Sequence, residues 1–212
     1  MKNAKRTVIG ISGASCSGKS WFAQKIKEAR PDSVSLFDLD SYYRHVDYVN
    51  SLDCRHDNPE AIDFDKVLQD LSLLLDGHEI RIPVYDFDSH SVVSEKVSTP
   101  APIVIVEGLF VFANKALLGR MDMKIWIEAA DDLRFDRRMN RDTGERGRNA
   151  EEVTTRYASD VKPGYEKYIR PCREHADLVY PNDSGDSDSV SALVEIVLSF
   201  HAASGVPANS LV

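Results

Sequence analysis

The sequence lacks long apolar runs and has few cysteines. No run of eighteen or more apolar residues occurs, and a membrane-spanning helix needs about 20, so no such helix is expected. Residues 1–6 also lack the apolar core of a secretory signal. The three cysteines, Cys16, Cys54 and Cys172, are far apart and form no Cys-x-x-Cys metal pair. They are expected to be reduced thiols, which favours a cytoplasmic protein. A membrane partner is not expected either, because anionic membranes select basic surfaces and this chain is acidic.

Positive charge is also scarce. The chain has 26 Lys and Arg residues against 34 Asp and Glu residues, and its net charge is -8 at pH 7. Because nucleic acids select basic surfaces, a nucleic-acid partner is not expected. The 212 residues, of which 42% are hydrophobic, can bury a sizeable core. We therefore predict one domain over residues 1–212, with a frayed tail at 204–212.

Short apolar segments alternate along the chain with segments of helical spacing. Strands are predicted near residues 8–11, 33–37, 80–87, 103–106, 124–127 and 178–180. Helices are predicted near residues 21–29, 64–75 and 190–200, after residue 127 and in a long stretch ending near 169. This alternation predicts an α/β fold with a mostly parallel central sheet flanked by helices. Pro83 is expected to interrupt its segment and make it a hairpin or an edge strand.

The most specific motif is a glycine loop between the first predicted strand and the helix that follows. It consists of Gly13, Ala14, Ser15, Cys16, Ser17, Gly18, Lys19 and Ser20. The spacing Gly-x4-Gly-Lys-Ser is that of a P-loop, whose backbone N–H groups surround phosphates. Lys19 is expected to contact the β- and γ-phosphates, and the Ser20 hydroxyl to ligate Mg²⁺. The loop predicts a site for ATP or GTP with Mg²⁺ as the phosphate donor, with Cys16 as a packing thiol.

Acidic residues follow two other predicted strands. Glu107 follows residues 103–106, and Asp38 and Asp40 follow residues 33–37. Phosphoryl transfer requires a carboxylate near the metal and a base that orients the attacking hydroxyl. Glu107 is therefore a candidate metal ligand, and a carboxylate at Asp38 or Asp40 is a candidate base. The alternative for each acid is a helix N-cap or a turn.

Six arginines lie within residues 134–148. They are Arg134, Arg137, Arg138, Arg141, Arg146 and Arg148. One interpretation is a solvated helix face paired with nearby acids, among them Asp142. The other is a mobile lid at about residues 140–150, since its arginines stand beside glycines and suit closure over phosphates.

In this order, the motifs resemble the uridine/cytidine kinase family of P-loop nucleoside kinases, which is related to phosphoribulokinase. The resemblance runs from Gly10 to about Asn182. Besides the glycine loop, it is carried by Asp40-Ser41-Tyr42-Tyr43-Arg44, Asp57-x-Pro59-x-Ala61-x-Asp63, Pro83-Val84-Tyr85-Asp86-Phe87-x2-His90, Val106-Glu107-Gly108, Arg141-Asp142-x2-Glu145-Arg146-Gly147-Arg148 and Val161-Lys162-Pro163.

This resemblance implies transfer of the γ-phosphate to the 5′-hydroxyl of uridine or cytidine, with Asp40 as the general base. It implies that Ser20 and Glu107 lie near Mg²⁺ and that Asp57 binds the ribose hydroxyls. The other residues implied to contact the small alcohol acceptor or the phosphates are Tyr43, Tyr85, His90, Arg138 and Arg148, with Arg141 and Arg146 in the lid. The resemblance also implies a homo-oligomer.

Three positions depart from the family pattern on the acceptor side. Arg156 stands where family members often have Gln, His56 where they often have Phe, and Val92 where Arg is usual. Guanidinium only donates hydrogen bonds, so Arg156 either donates to a pyrimidine carbonyl or faces an anionic acceptor. A third interpretation is an exposed helix face, and for His56 packing or exposure is favoured over substrate contact. A relative that phosphorylates another alcohol, such as a sugar phosphate or a vitamin-derived nucleoside, therefore stays open.

A nucleotide-dependent switch is the alternative from a different class. Such a protein is expected to carry a guanine-reading Asn/Thr-Lys-x-Asp motif. The nearest match, Asn114-Lys115-Ala116-Leu117, lacks the Asp. The switch is therefore the least favoured of the three interpretations.

Overall fold

The computed structural model describes residues 5–183 and 187–205. It contains seven strands within these residues: β1 (Thr7–Gly13), β2 (Val34–Asp38), β3 (Ile80–Asp86), β4 (Ser91–Ser98), β5 (Ile103–Glu107), β6 (Met123–Glu128) and β7 (Leu178–Pro181). Five of them form a parallel sheet in the order β2-β5-β1-β6-β7. The predicted α/β fold with a parallel central sheet is confirmed.

Helices cover both faces of this sheet. They are α1 (Lys19–Ala29), α2 (Val46–Asn50), α3 (Phe64–Leu75), α4 (Lys115–Leu118), α5 (Asp131–Gly144), α6 (Ala150–Arg156), α7 (Lys162–Gly164) and α8 (Ser187–Ala203). Asn114 is the N-cap of α4, and its side chain accepts hydrogen bonds from two backbone N–H groups. This local role accounts for Asn114 without any contact to guanine.

The central sheet is buried on both faces because successive side chains of a strand point in opposite directions. On β5, Ile103 and Ile105 pack in the cluster that includes residues of α1 and α8. Val104 and Val106 pack on the other side, in the cluster with α3 and β3. Such double burial explains the continuous β-branched run. Because the strands are parallel, their carboxyl ends lie along one edge of the sheet.

Strands β3 and β4 form a separate antiparallel hairpin. The predicted hairpin is confirmed. The interruption expected at Pro83 is not found, because β3 continues through Pro83, which is paired with Glu95. In a two-stranded sheet each strand has one free edge, where a residue without an N–H group is tolerated. The register shifts only further on, between Val84 and Tyr85.

The segment after β6 is more helical than expected. The lid segment predicted at about 140–150 begins inside α5, which continues to Gly144, and residues 145–149 then connect α5 to α6. The long helix predicted to end near 169 is interrupted by π-helical segments at Tyr157–Val161 and Tyr165–Ile169. The predicted tail at 204–212 is described only for its first two residues, which form a turn. Across residues 5–183 and 187–205, no helix has the length and apolar composition needed to cross a membrane.

Candidate active site

The phosphate loop joins β1 to α1 at the carboxyl edge of the sheet. Its two glycines both adopt positive φ angles, 149° at Gly13 and 104° at Gly18. A Cβ atom at Gly13 would lie 2.3 Å from the carbonyl oxygen of Ile127, so a side chain there would collide with β6. The glycines therefore hold the conformation that exposes backbone N–H groups to an anion.

Asn182, which follows β7, holds the phosphate loop in place through hydrogen bonds. Its side-chain amide donates to the carbonyl of Ser17 at 2.7 Å, and its own N–H donates to the carbonyl of Glu128 at the end of β6. A Cβ atom at Gly18 would lie 2.1 Å from the Asn182 amide nitrogen. Asn182 was not among the predicted site residues, although it directly follows the last strand, where site residues are expected.

Lys19 is buried, and its amino group donates to the carbonyl of Ala14 at 2.8 Å. Burial lowers the pKa of Lys19, while the charges of Glu107 and Asp40 oppose this effect. The Ser17 hydroxyl is buried without a hydrogen-bond partner among the described residues. An unpaired buried hydroxyl is costly, so a ligand oxygen at this place would satisfy the loop.

Three carboxylates lie together beside Lys19. Asp38 and Glu107 are direct partners in the register of β2 and β5. Asp38 accepts a hydrogen bond from the N–H of Asp40 at 2.9 Å, so the N-cap alternative holds for Asp38. Asp40 is different, because one of its carboxylate oxygens is buried and accepts no hydrogen bond within the described residues. The sequence left the base open between these two acids, and the geometry favours Asp40.

Burial and mutual repulsion disfavour the ionised forms of this acidic cluster, although Lys19 lies beside it. Burial raises the pKa of Asp40 to about 7, and the charge of Asp38 adds to the rise. Burial likewise raises the pKa of Glu107 to about 8, with further contributions from Asp38 and Asp40. Because desolvation and like charges disfavour the ionised forms, a bound cation would stabilise this cluster.

The donor set fits magnesium rather than a softer metal. The Ser20 hydroxyl is near enough to Glu107 to lower the pKa of that carboxyl, so the two predicted ligands are close together. No group of three or more His, Cys, Asp or Glu side chains in the described part of the chain is arranged to hold a metal by itself. Mg²⁺ takes one or two carboxylates and completes its shell with water and substrate phosphates, so the pair fits this pattern.

Two cavities meet at Asp40. One lies over the phosphate loop, and its walls include Cys16, Lys19 and Ser20. The other has walls that include Asp57, Phe87 and Arg138. We call them the donor cavity and the acceptor cavity. Both are lined by Ser15, Asp40, Leu109 and Arg141. Asp40 therefore lies where the two cavities meet.

Asp57 lies on the wall of the acceptor cavity and is buried. Burial raises its pKa to about 6, and Arg138 opposes this rise. Helix α7 packs directly on it, since a Cβ atom at Gly164 would lie 2.5 Å from the Asp57 carbonyl oxygen. This close approach explains why glycine follows Pro163 in the motif.

Aromatic rings form another wall of the acceptor cavity. Tyr43, His56, Phe87 and His90 line it, whereas Tyr85 lies behind them. The ring centroids of His56 and His90 are 4.9 Å apart. The Tyr85 hydroxyl and His56 Nε2 are 3.3 Å apart. His56 is thus both packed and at the cavity surface, which sequence reasoning treated as alternatives.

Four of the six arginines surround one buried carboxylate. Asp142 is fully buried, and its oxygens lie 2.8 Å from Arg141, 3.3 Å from Arg138, 3.4 Å from Arg146 and 3.6 Å from Arg148. Burial favours protonation, but the arginine charges outweigh it and hold the pKa of Asp142 below its usual value. The exposed-face interpretation is wrong for these four, because their counter-ion is buried and they line the acceptor cavity.

The other arginines of this region have separate roles. Arg134 pairs with Asp131 and lies over the ring of Tyr165, which fits the structural interpretation. Arg137 donates to the carbonyl of Asn182 at 3.0 Å. Arg156 lines the acceptor cavity, so the exposed-face interpretation is wrong for it as well.

Val92, the third departure from the family pattern, is on β4 and is 53% exposed. Its neighbour Val93 is 58% exposed, so this part of the hairpin faces outward. Val92 is not among the residues that line the acceptor cavity. Only two of the three departures, His56 and Arg156, therefore lie where an acceptor would bind.

Comparison with known proteins identifies the family. The model of the Phosphoribulokinase / Uridine kinase family matches residues 8–186. A protein named Uridine kinase from Staphylococcus haemolyticus is 38% identical over 193 residues, which are 89% of this chain and 92% of the relative. One of the same name from Borrelia turicatae is 40% identical over 184 residues, 85% of this chain and 88% of the relative.

Among solved structures, phosphoribulokinase from Rhodobacter spheroides has a TM-score of 0.61 at 17% identity, covering 84% of this chain and 70% of that chain. This likeness concerns the fold. It agrees with the parallel sheet and the phosphate loop described above. With the family match over most of its length, the chain belongs to the Phosphoribulokinase / Uridine kinase family.

Proposed function

We propose that this protein is a kinase that transfers the γ-phosphate of ATP or GTP to the 5′-hydroxyl of a pyrimidine ribonucleoside. The observation that carries the proposal is Asp40, a buried carboxylate with an unpaired oxygen at the junction of the donor and acceptor cavities. Relatives at 38% and 40% identity are named uridine kinases, which supports uridine or cytidine as the acceptor.

The arrangement of side chains supports a direct transfer. Asp40 accepts the proton of the acceptor hydroxyl while the oxygen of that hydroxyl attacks the γ-phosphorus and the nucleoside diphosphate leaves. Lys19 and Arg141, on the walls of the donor cavity, stabilise the negative charge that spreads over the transferred group. Asp57 accepts hydrogen bonds from the ribose hydroxyls and so orients the 5′ end toward Asp40.

Magnesium, held by Ser20 and Glu107 together with phosphate oxygens, would neutralise charge on the β- and γ-phosphates. The segment at about 140–150 would close over the phosphates as a lid through Arg141, which lines the donor cavity, whereas Arg148 lies on the acceptor cavity wall. A cytoplasmic homo-oligomer of one domain, working in pyrimidine salvage, completes the proposal and is supported by the family resemblance.

The test is a coupled ADP-release assay with uridine, cytidine, purine nucleosides and ribulose 5-phosphate. We expect uridine or cytidine to be the best acceptor and the product to be the 5′-monophosphate. Asp40→Asn should lower kcat by about 10²- to 10⁴-fold, because it removes the base and preserves its shape. ATP affinity should change little.

Two results would contradict the proposal. Release of ADP with ribulose 5-phosphate but with no pyrimidine nucleoside would assign the enzyme to another alcohol. Near-normal turnover of Asp40→Asn would remove Asp40 from the base role.

A further inference from the structure

The far end of the acceptor cavity contains unusual backbone conformations. In the described residues, four positions other than glycine have positive φ angles: Cys16 at 61°, Cys54 at 54°, Arg55 at 46° and His90 at 53°. Cys16 belongs to the phosphate loop, but the other three flank or form the acceptor cavity wall. Such conformations are energetically unfavourable and gather at functional sites. Here they hold Arg55, His56 and His90 against the cavity.

These residues form what we call the distal subsite, which consists of Arg55, His56, His90, Arg148 and Arg156. All five line the acceptor cavity, and none of them lines the donor cavity. Their positive charge therefore does not serve the triphosphate, which binds at the phosphate loop. It faces whatever occupies the acceptor cavity outside the part shared with the donor cavity.

The three arginines of the distal subsite have only long ion pairs within the described residues. Arg55 is 3.7 Å from Asp160, Arg156 is 3.6 Å from Glu152, and Arg148 is 3.6 Å from Asp142. The last carboxylate is shared with three further arginines, and Glu152 is 44% exposed to solvent. Charge-assisted pairs are normally about 2.7–2.9 Å long, so these guanidinium groups keep donors for a ligand.

The two histidines add polar groups without adding charge. Burial lowers the pKa of His56 to about 3, with further contributions from His90, Arg156 and Arg148. Burial also lowers the pKa of His90, again helped by Arg156 and Arg148. The Nδ1 atom of His90 is buried and has no partner among the described residues. The positive charges of Arg148 and Arg156 thus act on both histidine rings.

We propose that the distal subsite binds a carboxylate on the base of the acceptor nucleoside. This inference rests on the proposed function, because it assumes a nucleoside whose base lies between the aromatic wall and Asp57. Guanidinium groups only donate hydrogen bonds and match a carboxylate with two parallel N–H···O contacts. A ligand carboxylate can approach them more closely than Asp142, Glu152 and Asp160 do, and a neutral pyrimidine offers no such charge.

The experiment compares acceptors that differ in charge and hardly in shape. The probes are 5-carboxyuridine and 6-carboxyuridine, each with its neutral carboxamide, and uridine itself. With ATP and Mg²⁺, we expect one acid to exceed its amide in kcat/KM by about tenfold to a hundredfold, as a charge-assisted hydrogen bond implies. Calorimetric binding of the same pairs, with a non-hydrolysable ATP analogue, gives a readout independent of turnover.

Arg156→Gln should reduce the preference for the acid by about tenfold, mainly through KM, because the amide side chain cannot supply the charge. Arg170→Gln is the matched control, since Arg170 also pairs with a glutamate four residues earlier but is 63% exposed. The control should keep the wild-type preference. The calorimetric data should show the same loss of selectivity in Arg156→Gln.

The outcomes separate the inference from the proposed function. If uridine and the amides are phosphorylated as well as the acids, or if Arg156→Gln keeps the acid preference, the carboxylate subsite is wrong and the nucleoside kinase stands. If no pyrimidine nucleoside binds or is phosphorylated, the proposed function fails and the inference fails with it.

Discussion

The donor and acceptor cavities share Asp40 but are built in different ways. The donor cavity is built mainly from one continuous segment, the phosphate loop, held between β1 and α1. The acceptor cavity collects side chains from distant parts of the chain, from Ser15 to Val161. The first construction depends on backbone conformation, whereas the second depends on which side chains meet. A local motif can therefore reveal the reaction while leaving the acceptor open.

Lys19→Ala tests whether the donor cavity can be disabled alone, and it has the largest expected effect. Loss of the buried amino group should lower kcat at least about 10³-fold, because its charge stabilises the transferred phosphoryl group. Nucleoside binding, measured by calorimetry without ATP, should stay within about twofold, since Lys19 is not on the acceptor cavity wall.

Lys25→Ala provides the control for this change. Lys25 is on the same helix, is 40% exposed and pairs with Glu28. Activity should be unchanged in that variant. Substantial phosphoryl transfer by Lys19→Ala would remove Lys19 from the donor site.

Asp142→Asn tests the element that joins the two cavities. The neutral amide cannot balance four arginines, so Arg141 on the donor side and Arg148 on the acceptor side should both lose their positions. We expect kcat/KM to fall by about tenfold to a hundredfold, with increased KM for both substrates. Changes at Lys19 or Arg156 should affect one substrate only.

Asp136→Asn is the control, because Asp136 is an exposed residue of the same helix. Circular dichroism should verify that both variants are folded, and Asp142→Glu should restore part of the activity by restoring the charge. Unaltered KM values for both substrates in folded Asp142→Asn would show that Asp142 does not organise the cationic groups.

The smallest expected effect is on thermal stability. It tests the acidic cluster of Asp38, Asp40 and Glu107 rather than either cavity. Asp40 has a pKa of about 7 in the folded protein and an ordinary value of 3.8. Its contribution to stability is therefore full below the ordinary value and is lost as the pH rises through about 7. Asp40→Asn should raise Tm by about 2–4 °C near pH 8 in the absence of Mg²⁺, and by less near pH 5.

Exposed Asp32 gives the comparison, since Asp32→Asn should show no such dependence on pH. Thermal unfolding followed by circular dichroism measures both variants. An equal gain in Tm at both pH values would argue against an unfavourable ionised form of Asp40 in the acidic cluster.

The fold and the donor cavity could be predicted because their signals are local. The β-branched run of β5 and the spacing of Gly13, Gly18 and Lys19 each lie within one short segment. Asp142 could not be identified as an organising residue, since its four partners become neighbours only when α5 folds and the next loop turns back. Asn182 was missed for a similar reason, because it meets the phosphate loop 165 residues away in sequence.

The contact between Gly164 and Asp57 limits how this protein can acquire a new substrate. The contact leaves no space between α7 and Asp57 on the acceptor cavity wall, and the same helical stretch carries Arg156. A shift of that stretch would displace both ends of the acceptor together. New specificity is therefore reached by exchanging side chains on a fixed backbone. Engineering of acceptor choice should vary positions such as 56 and 156 and leave Gly164 unchanged.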